Sequence, residues 1–259
     1  MYQVEDIQLV ESKSYGTVLI KAKAILDYLM DHDSGLTLKE IHEGMEMSKS
    51  TTLKILTTMC ELDLLWRNDE DKKYHLGAEL IGLGQKALAD FNIHQIALPY
   101  LKELRDATEE TVHLGVEIAD HVEFLEKLES PRSVNLKSKI GGRLNLYCSA
   151  MGKAILATKT PDELENYFDS NPLDPLTKFT LVNRKAIMKQ IDVVRQNGYS
   201  IDDRENEVEV FCIGTVLKKH NQVYGAFSVS TPYYRMDEDR EKRIIKLVLE
   251  TKEKIEQAI

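Results

Sequence analysis

The sequence predicts an α+β protein, with a mainly α-helical N-terminal domain and a larger C-terminal domain in which helices flank an antiparallel sheet. Apolar residues recur at helical spacing through much of the first 89 residues, whereas alternating apolar and polar residues, the pattern of strands, appear from Thr111 onwards among further helical segments. The 259 residues are enough for two domains of ordinary size. A hydrophobic fraction of 42% and a charged fraction of 30% are typical of globular domains with a buried core.

The stretch Leu36–Leu56 contains two short amphipathic helices joined by a tight turn. Thr37 begins the first helix, with Glu40 three residues later in a capping-box arrangement, and Ser48 begins the second. In a helix-turn-helix of this kind, the N-terminal residues of the second helix face base edges and phosphates. The pattern therefore predicts contacts with double-stranded DNA from Ser48, Lys49, Ser50, Thr51, Thr52 and Lys54.

The spacing also predicts which side of the second helix is buried. The predicted inner face consists of Leu53, Leu56 and Cys60, with Ile55 and Met59 beside it, and Thr52 falls on the opposite, polar face. An ordinary capped surface helix without DNA contacts is the alternative interpretation of the same residues.

Two strand-like runs follow, Leu64–Arg67 and Lys73–Leu76, around the polar turn Asn68–Lys72. A hairpin in this position is typical of the wing of a winged-helix domain. Lys72 and Lys73 are the candidate DNA contacts of the wing. Three acidic residues lie directly before them, so a solvated turn is the alternative.

The net charge of −9 and the pI of about 5.4 argue mildly against nucleic-acid binding, which usually requires a basic surface. Only the docking face has to be positive, however. The run Met47–Cys60 contains two lysines and no acidic residue, whereas the acidic residues nearby flank it. The charge weakens the DNA-binding interpretation without removing it.

The chain divides into four predicted parts: a polar tail at 1–14, a winged helix-turn-helix domain at 15–77, a linker helix at 78–90 and a C-terminal domain at 91–259. In the last part, helical patterns lie at Ile93–Thr108, Ala150–Ala157, Asn183–Asn197 and Asp237–Ile259, and another helix begins at Thr160. Strand patterns lie at Thr111–Ile118, Val122–Leu128, Glu207–Ile213, Thr215–Lys218 and Val223–Ser230, and Gly141-Gly142 marks a loop before Leu144–Cys148.

Other classes of protein are not indicated. Three widely spaced cysteines, no signal peptide and no apolar run of about 20 residues predict a soluble, cytoplasmic protein that does not cross a membrane. His42-Glu43 lacks the second histidine of a zinc-protease helix, and Gly152-Lys153 lacks the first glycine of a phosphate-binding loop. We therefore expect no enzymatic activity, no metal and no cofactor.

Three blocks of sequence resemble the IclR family of bacterial transcription regulators. They are Leu36–Leu56 with Tyr74–Gly84, then Gly141–Ala157, and finally Gly198–Asp203 with Cys212 and Gly225–Pro232. The resemblance implies a winged helix, a linker helix and a GAF-like effector domain. It also implies homodimers that pair through their N-terminal domains, often assembled as homotetramers (dimers of dimers).

By this resemblance, the protein is a repressor of a catabolic operon that responds to a small organic, sugar or aromatic acid. Two departures bear on DNA recognition. Family members commonly have glycine where this chain has Glu46 in the turn, and arginine where it has Lys54. Lysine is a point charge and does not reproduce the bidentate contact of arginine with guanine.

The resemblance also implies an effector pocket formed by Ala150, Met151, Asp202, Cys212, Ser228 and Ser230. Hydroxyls and backbone N–H groups suit the oxygens of a small acid, and two serines two residues apart on a strand share a face. Without the resemblance, the serines are the polar face of a half-exposed strand and Cys212 is a core residue. Cys148 and Cys212 are alternatively a redox pair, which is less consistent with the usual role of buried cysteines.

A different class of function stays open at this point. The protein is alternatively a small-molecule-binding protein or enzyme in which the N-terminal domain serves assembly.

Overall fold

The structure is a computed structural model that describes residues 16–89, 92–133, 136–220 and 222–259, without the side chains of 87–89. The predicted tail at residues 1–14 lies outside the described residues. The chain forms two compact units, one ending at Leu88 and one beginning at Ala89.

The first unit is mainly helical, as predicted. Its elements are α1 (Thr17–Met30), β1 (Leu36–Thr37), α2 (Leu38–Gly44), α3 (Lys49–Glu61), β2 (Leu65–Arg67), β3 (Lys73–Leu76) and α4 (Glu79–Ala89). The strands form an antiparallel sheet in the order β1-β3-β2. β1 was not predicted, because two residues paired with β3 are too short to give a pattern in the sequence.

Both predicted caps of the helix-turn-helix are present. The hydroxyl of Thr37 accepts from the Glu40 amide, and the Glu40 carboxylate accepts from the Thr37 amide at 2.7 Å. At the start of α3, the Ser48 hydroxyl accepts from the Thr51 amide at 3.2 Å. These caps satisfy amides that the first turn of a helix leaves without intrahelical partners.

The predicted inner face of α3 is wrong at two positions. Thr52 is fully buried, whereas Leu53 is 45% exposed. The buried face consists of Thr52, Ile55, Leu56 and Met59, packed in one core with residues of α1, α2 and the sheet. The prediction placed leucine inward because of its hydrophobicity, but the approach of α1 and the sheet turns the helix so that the threonine is covered.

The second unit is built on an antiparallel sheet in the order β6-β5-β4-β9-β8-β7. The strands are β4 (Thr111–Ile118), β5 (His121–Leu128), β6 (Arg143–Asn145), β7 (Ser200–Asp203), β8 (Val210–Lys219) and β9 (Gln222–Pro232). The helices are α5 (Asn92–Thr108), α6 (Ala150–Leu156), α7 (Pro161–Ser170), α8 (Arg184–Asn197) and α9 (Glu238–Ala258).

Three strand predictions in this unit need correction. The two runs Glu207–Ile213 and Thr215–Lys218 are one strand, β8, because Gly214 continues the extended pairing with Ser200 and Ser228. β6 and β7 were not predicted.

Helices cover both faces of the sheet. α6, α7 and α8 share one core with residues on one face of β5, β8 and β9, including Val122, Val216 and Ala226. α5 and α9 pack against each other and against the sheet, where successive strand residues point the opposite way. Within the described residues, no helix is long and apolar enough to cross a membrane.

The turn of the helix-turn-helix is a Schellman motif with an unfavourable residue. The Met47 amide donates to the His42 carbonyl at 3.2 Å, and the Glu46 amide donates to the Glu43 carbonyl at 3.4 Å. Glu46 lies at the position after the helix cap with φ of 50°, in the left-handed region where glycine is preferred.

We predict that Glu46→Gly stabilises the protein by about 1 kcal/mol, because a residue with a Cβ is strained in the left-handed conformation. Urea unfolding of the full chain measures the change. Glu43→Gly is the matched control: Glu43 is exposed within α2, so glycine there should destabilise by about 1 kcal/mol. A loss of stability in Glu46→Gly would contradict the interpretation of the turn.

Candidate functional site

The first turn of α3 is open to solvent. Ser48, Lys49, Ser50 and Lys54 are exposed and Thr51 is half-buried. The turn contains no acidic residue, so its free amides and partial positive charge face solvent together with hydroxyls and two ammonium groups. This arrangement can bind phosphates and donate to base edges.

Thr52 is the exception among the predicted contacts. Its side chain is fully buried, and its hydroxyl donates to the Ser48 carbonyl at 3.1 Å. A group enclosed in the core and already bonded to its own helix cannot reach DNA. Thr52 therefore supports the start of the recognition helix and is not a DNA contact.

The two wing lysines differ in their surroundings. Lys72 is exposed in the left-handed conformation with φ of 61°, and its ammonium lies 3.9 Å from the Asp69 carboxylate. The Lys73 ammonium donates to the Ser34 carbonyl at 3.3 Å. Lys73 thus ties β3 to the loop before β1, which leaves Lys72 as the freer of the two cations.

The hairpin also presents groups that the sequence interpretation missed. Trp66 is 50% exposed and stacks on His75, with ring centroids 4.5 Å apart. Arg67 is exposed beside it, with its guanidinium 5.6 Å from the Tyr74 ring centre. The signal for Trp66 was alternation along β2, which places it off the core while Leu65 is buried; alternation does not predict the exposure of Arg67.

In the second unit, a cavity lies between the sheet and the first turn of α6. All six residues implied by the family resemblance line it: Ala150, Met151, Asp202, Cys212, Ser228 and Ser230. Its free volume is about 40 Å³, which holds a few water molecules and is well below the volume of ordinary ligand pockets. A ligand of several carbon atoms therefore requires lining side chains to move.

Strand register explains why distant residues meet at this cavity. One row across the sheet aligns Asp202, Cys212, Ser230 and Thr111, and the next aligns Ser200, Gly214, Ser228 and His113. The two rows lie two residues apart along each strand, so their side chains point to the same face of the sheet. Side chains from β7, β8, β9 and β4 therefore converge beneath α6.

Asp202 is a buried carboxyl group in the wall of the cavity, 3% exposed. Its Oδ1 accepts from the Glu205 amide at 2.7 Å and the Asn206 amide at 3.3 Å. Burial raises the pKa of Asp202 to about 7, and the positive charge of Lys153 opposes this rise. Asp202 therefore exchanges a proton near neutral pH and can accept or donate a hydrogen bond.

A buried ion pair lies behind Asp202. Lys153 and Glu205 are both less than 5% exposed and directly paired, and the Lys153 ammonium also donates to the Gln190 side-chain oxygen at 2.8 Å. Because the Glu205 amide bonds Asp202, this pair fixes the turn that carries the carboxyl group. The sequence analysis had considered Lys153 only as part of a failed phosphate-binding loop.

Several further residues of the cavity wall were missed. They include His113, Ser138, Ser149, Asn206 and Glu207. The strand Thr111–Ile118 was predicted, but its pattern does not show which alternate set faces the cavity, because both sets are buried. The loop residues carry no periodic signal at all.

The cysteines are free thiols. Burial raises the pKa of Cys148 to about 12 and also raises the pKa of Cys212. Reactive cysteines depend on a thiolate, which these surroundings disfavour. Among the described residues, no group of three or more His, Cys, Asp or Glu side chains is placed to hold a metal ion.

The raised pKa of Asp202 predicts a pH-dependent stability. Because the folded-state pKa of about 7 exceeds the unfolded value of 3.8, the folded state binds the proton more tightly, and stability falls as pH rises between these values. Asp202→Asn keeps the Oδ1 acceptor and removes the ionisation. Its melting temperature relative to the wild type should rise from pH 5 to pH 8, by roughly 2–4 °C for each kcal/mol relieved.

Asp203→Asn is the control for this measurement, because Asp203 is an exposed neighbour on the same strand. A difference between Asp202→Asn and the wild type that stays constant across the pH range would contradict the assignment of a raised pKa.

Comparison with known proteins gives the family of both units. The family model described as IclR helix-turn-helix domain matches residues 18–69, and that described as Bacterial transcriptional regulator IclR C-terminal matches residues 85–257. The chain is similar to the DNA-binding transcriptional repressor YiaJ of Escherichia coli, with 32% identity over 242 residues, 92% of this chain and 86% of that protein.

Solved structures of IclR proteins also match this chain over most of its length. The IclR of Thermotoga maritima has a TM-score of 0.79 and 30% identity, over 94% of this chain and 98% of that one. An IclR homologue from Microbacterium hydrocarbonoxydans, complexed with 4-hydroxybenzoate, has a TM-score of 0.79 and 22% identity, over 93% of this chain and 98% of that one, which supports the fold alone.

These relatives are regulators rather than enzymes, and both units match along most of their length. The chain belongs to the IclR family of ligand-responsive, DNA-binding transcription regulators.

Proposed function

We propose that this protein is a repressor whose α3 reads an operator and whose cavity binds a small organic, sugar or aromatic acid that changes operator affinity. The observation that carries the proposal is the convergence of residues from three separate parts of the sequence on one cavity under α6. Such a protein acts on DNA in the cytoplasm.

The DNA contacts we assign are Ser48, Lys49, Ser50, Thr51 and Lys54, with Lys72 as a weaker contact from the wing. The exposed first turn of α3 supports this assignment, because its amides and hydroxyls can fix phosphates while Lys54 lies one turn further along the helix. With one lysine in place of a bidentate arginine, each helix contributes modest affinity.

We further propose that the chain binds DNA as a homodimer that pairs through the N-terminal units, and that two dimers form a tetramer. Exposed apolar side chains on two helices of that unit support pairing: Val18 and Leu19 of α1 are 60% and 75% exposed, and Ile81 and Leu83 of α4 are 65% and 54% exposed. Linking two or more DNA-binding units raises the overall affinity for DNA, because the second unit binds at a high effective concentration once the first is bound.

An acid effector fits the donors of the cavity. The Ser228 hydroxyl lines the cavity and makes no hydrogen bond within the described part of the chain, so it is available to a ligand oxygen. Asp202 in its protonated form adds a donor instead of a repelling charge. Effector binding shifts the balance between DNA-binding arrangements only to the extent that its affinity for them differs, and α4 is the segment that links the two units in sequence.

Lys49→Ala and Lys54→Ala should each weaken operator binding, because each removes a cation from the exposed face of α3. If each lysine neutralises one phosphate, the slope of log affinity against log salt should become shallower by roughly 0.9. Gel-shift or fluorescence titrations at several salt concentrations measure both quantities.

Lys23→Ala is the control, since Lys23 is exposed on α1 and paired with Asp27 on its own helix. Unchanged affinity and slope in both α3 variants would rule out the recognition-helix assignment.

Ser228→Ala should abolish the response to the effector and leave operator binding in its absence intact, because Ser228 lines the cavity of the second unit whereas the assigned DNA contacts belong to the first. A thermal-shift screen with glyoxylate, gluconate and 4-hydroxybenzoate identifies a binding acid, since a specific ligand stabilises the folded state. Operator release by that acid is then compared in wild type and variant; release at normal concentration in Ser228→Ala would exclude this pocket.

A further inference from the structure

Four polar side chains in the cavity wall form a continuous hydrogen-bonded chain. The Cys212 thiol donates to the Ser230 hydroxyl oxygen at 3.2 Å, and that oxygen lies 3.2 Å from His113 Nδ1. On the other side of the ring, His113 Nε2 lies 2.7 Å from the Ser138 hydroxyl oxygen. We call Cys212, Ser230, His113 and Ser138 the relay chain.

His113 is neutral in these surroundings. Its side chain is 2% exposed, its ring packs on Phe124 with centroids 4.7 Å apart, and burial lowers its pKa to about 3, helped by the nearby charge of Lys127. A neutral imidazole has one N–H donor and one acceptor nitrogen. With a hydroxyl at each nitrogen, the ring must donate to one serine and accept from the other.

Counting donors along the relay chain leaves one proton over. If Nε2 carries the hydrogen, it donates to Ser138, Ser230 donates to Nδ1, and the Ser138 O–H remains free. If Nδ1 carries the hydrogen, Ser138 donates to Nε2 and the Ser230 O–H remains free. Apart from the weakly accepting sulfur of Cys212, neither serine has another hydrogen-bond acceptor within the described residues, so either tautomer leaves one hydroxyl proton for the cavity.

We propose that the relay chain presents this single hydroxyl proton to an acceptor oxygen of the effector, with His113 as the residue that orients it. The inference rests on the proposed function of the cavity as the effector site. It adds His113 and Ser138 to effector recognition. The ligand chemistry it selects is a carboxylate, carbonyl or ether oxygen.

Two features support recognition by a neutral donor. Among the described residues that line the cavity there is no lysine or arginine, whereas Asp202 and Glu207 contribute carboxyl groups, so an oxygen ligand has to be held by neutral donors such as the serine hydroxyls. The loop that carries Ser138 is also anchored, because the Lys127 ammonium donates to the Leu136 carbonyl at 2.8 Å. Ser138 is therefore held in position next to the ring.

The first test needs no effector. In the full-length protein with ¹⁵N-labelled histidine, the two-bond ¹⁵N–¹H spectrum of His113 should show a neutral ring with one predominant tautomer between pH 6 and pH 8. Ser138→Ala should change the ¹⁵N chemical shifts of the His113 ring nitrogens. Ser133→Ala, which replaces an exposed serine five residues earlier in the sequence, should leave them unchanged. A charged ring, or a ring unaffected by Ser138→Ala, would overturn the relay chain.

The second test measures donation to a ligand. For whichever of glyoxylate, gluconate and 4-hydroxybenzoate stabilises the wild type, Ser138→Ala and His113→Phe should raise the dissociation constant about tenfold, as for loss of one hydrogen bond to a charged group. His113→Gln, which keeps a donor and an acceptor, should lose less, and Ser133→Ala nothing.

The two failures are distinguishable. Equal binding by wild type, Ser138→Ala and His113→Phe would overturn the inference and leave the effector site standing. Binding of none of the three acids by the wild type would refute the proposed effector class and with it the donation assigned here, whatever the histidine spectrum shows.

Discussion

The contact between the first turn of α6 and the middle of β8 is the constraint on which the effector domain depends. A Cβ at residue 214 would lie 3.0 Å from the Ala150 carbonyl carbon and the Met151 amide nitrogen, which is tighter than an ordinary contact, so the glycine lets the helix lie this close to the strand. At Gly152 a Cβ would overlap the backbone of Leu146, whose Cα would lie 2.3 Å away. The Ser200 hydroxyl then bonds the Ala150 carbonyl and ties the helix to β7. Together these contacts hold the first turn of α6, which forms the roof of the cavity, next to the two rows of polar residues on the sheet.

The buried ion pair of Lys153 and Glu205 uses the same helix. Removing one partner of such a pair typically costs about 3–5 kcal/mol, because the other charge is left uncompensated. The pair is therefore weak support for net stability but a strong constraint on geometry. Lys153 belongs to α6, and Glu205 to the turn that follows β7, so the roof and the Asp202 wall are fixed to each other. A ligand that displaces the roof must also strain this pair or the Asp202 turn.

Local chemistry was predictable from the sequence, whereas burial was not. The caps at Thr37 and Ser48, the hairpin of β4 and β5 and the glycine end of α8 follow from the preferences of neighbouring residues, and the structure contains all of them. The position of Thr52 in the core depends instead on the direction from which other elements cover α3. For the cavity, the family resemblance supplied six residues. His113 could not be assigned to the cavity from the sequence, because both faces of β4 are buried and its pattern does not show which face is lined by polar groups. Ser138 was missed for a different reason: it lies in an irregular loop without periodicity.

The small volume of the cavity means that ligand binding there requires a conformational change. At about 40 Å³, the described conformation has no room for an acid of several carbon atoms. Ligand binding in this cavity therefore has to favour a conformation in which a flexible lining side chain such as that of Met151 moves, because the sheet residues are held in register and the backbone of α6 is held by Gly214, Ser200 and Lys153. A ligand with equal affinity for both conformations would change nothing. For the proposed effector site, the differential affinity that a regulator requires would thus arise from volume as well as from hydrogen bonds, and the polar groups of the wall would determine which small molecule makes that conformational change favourable.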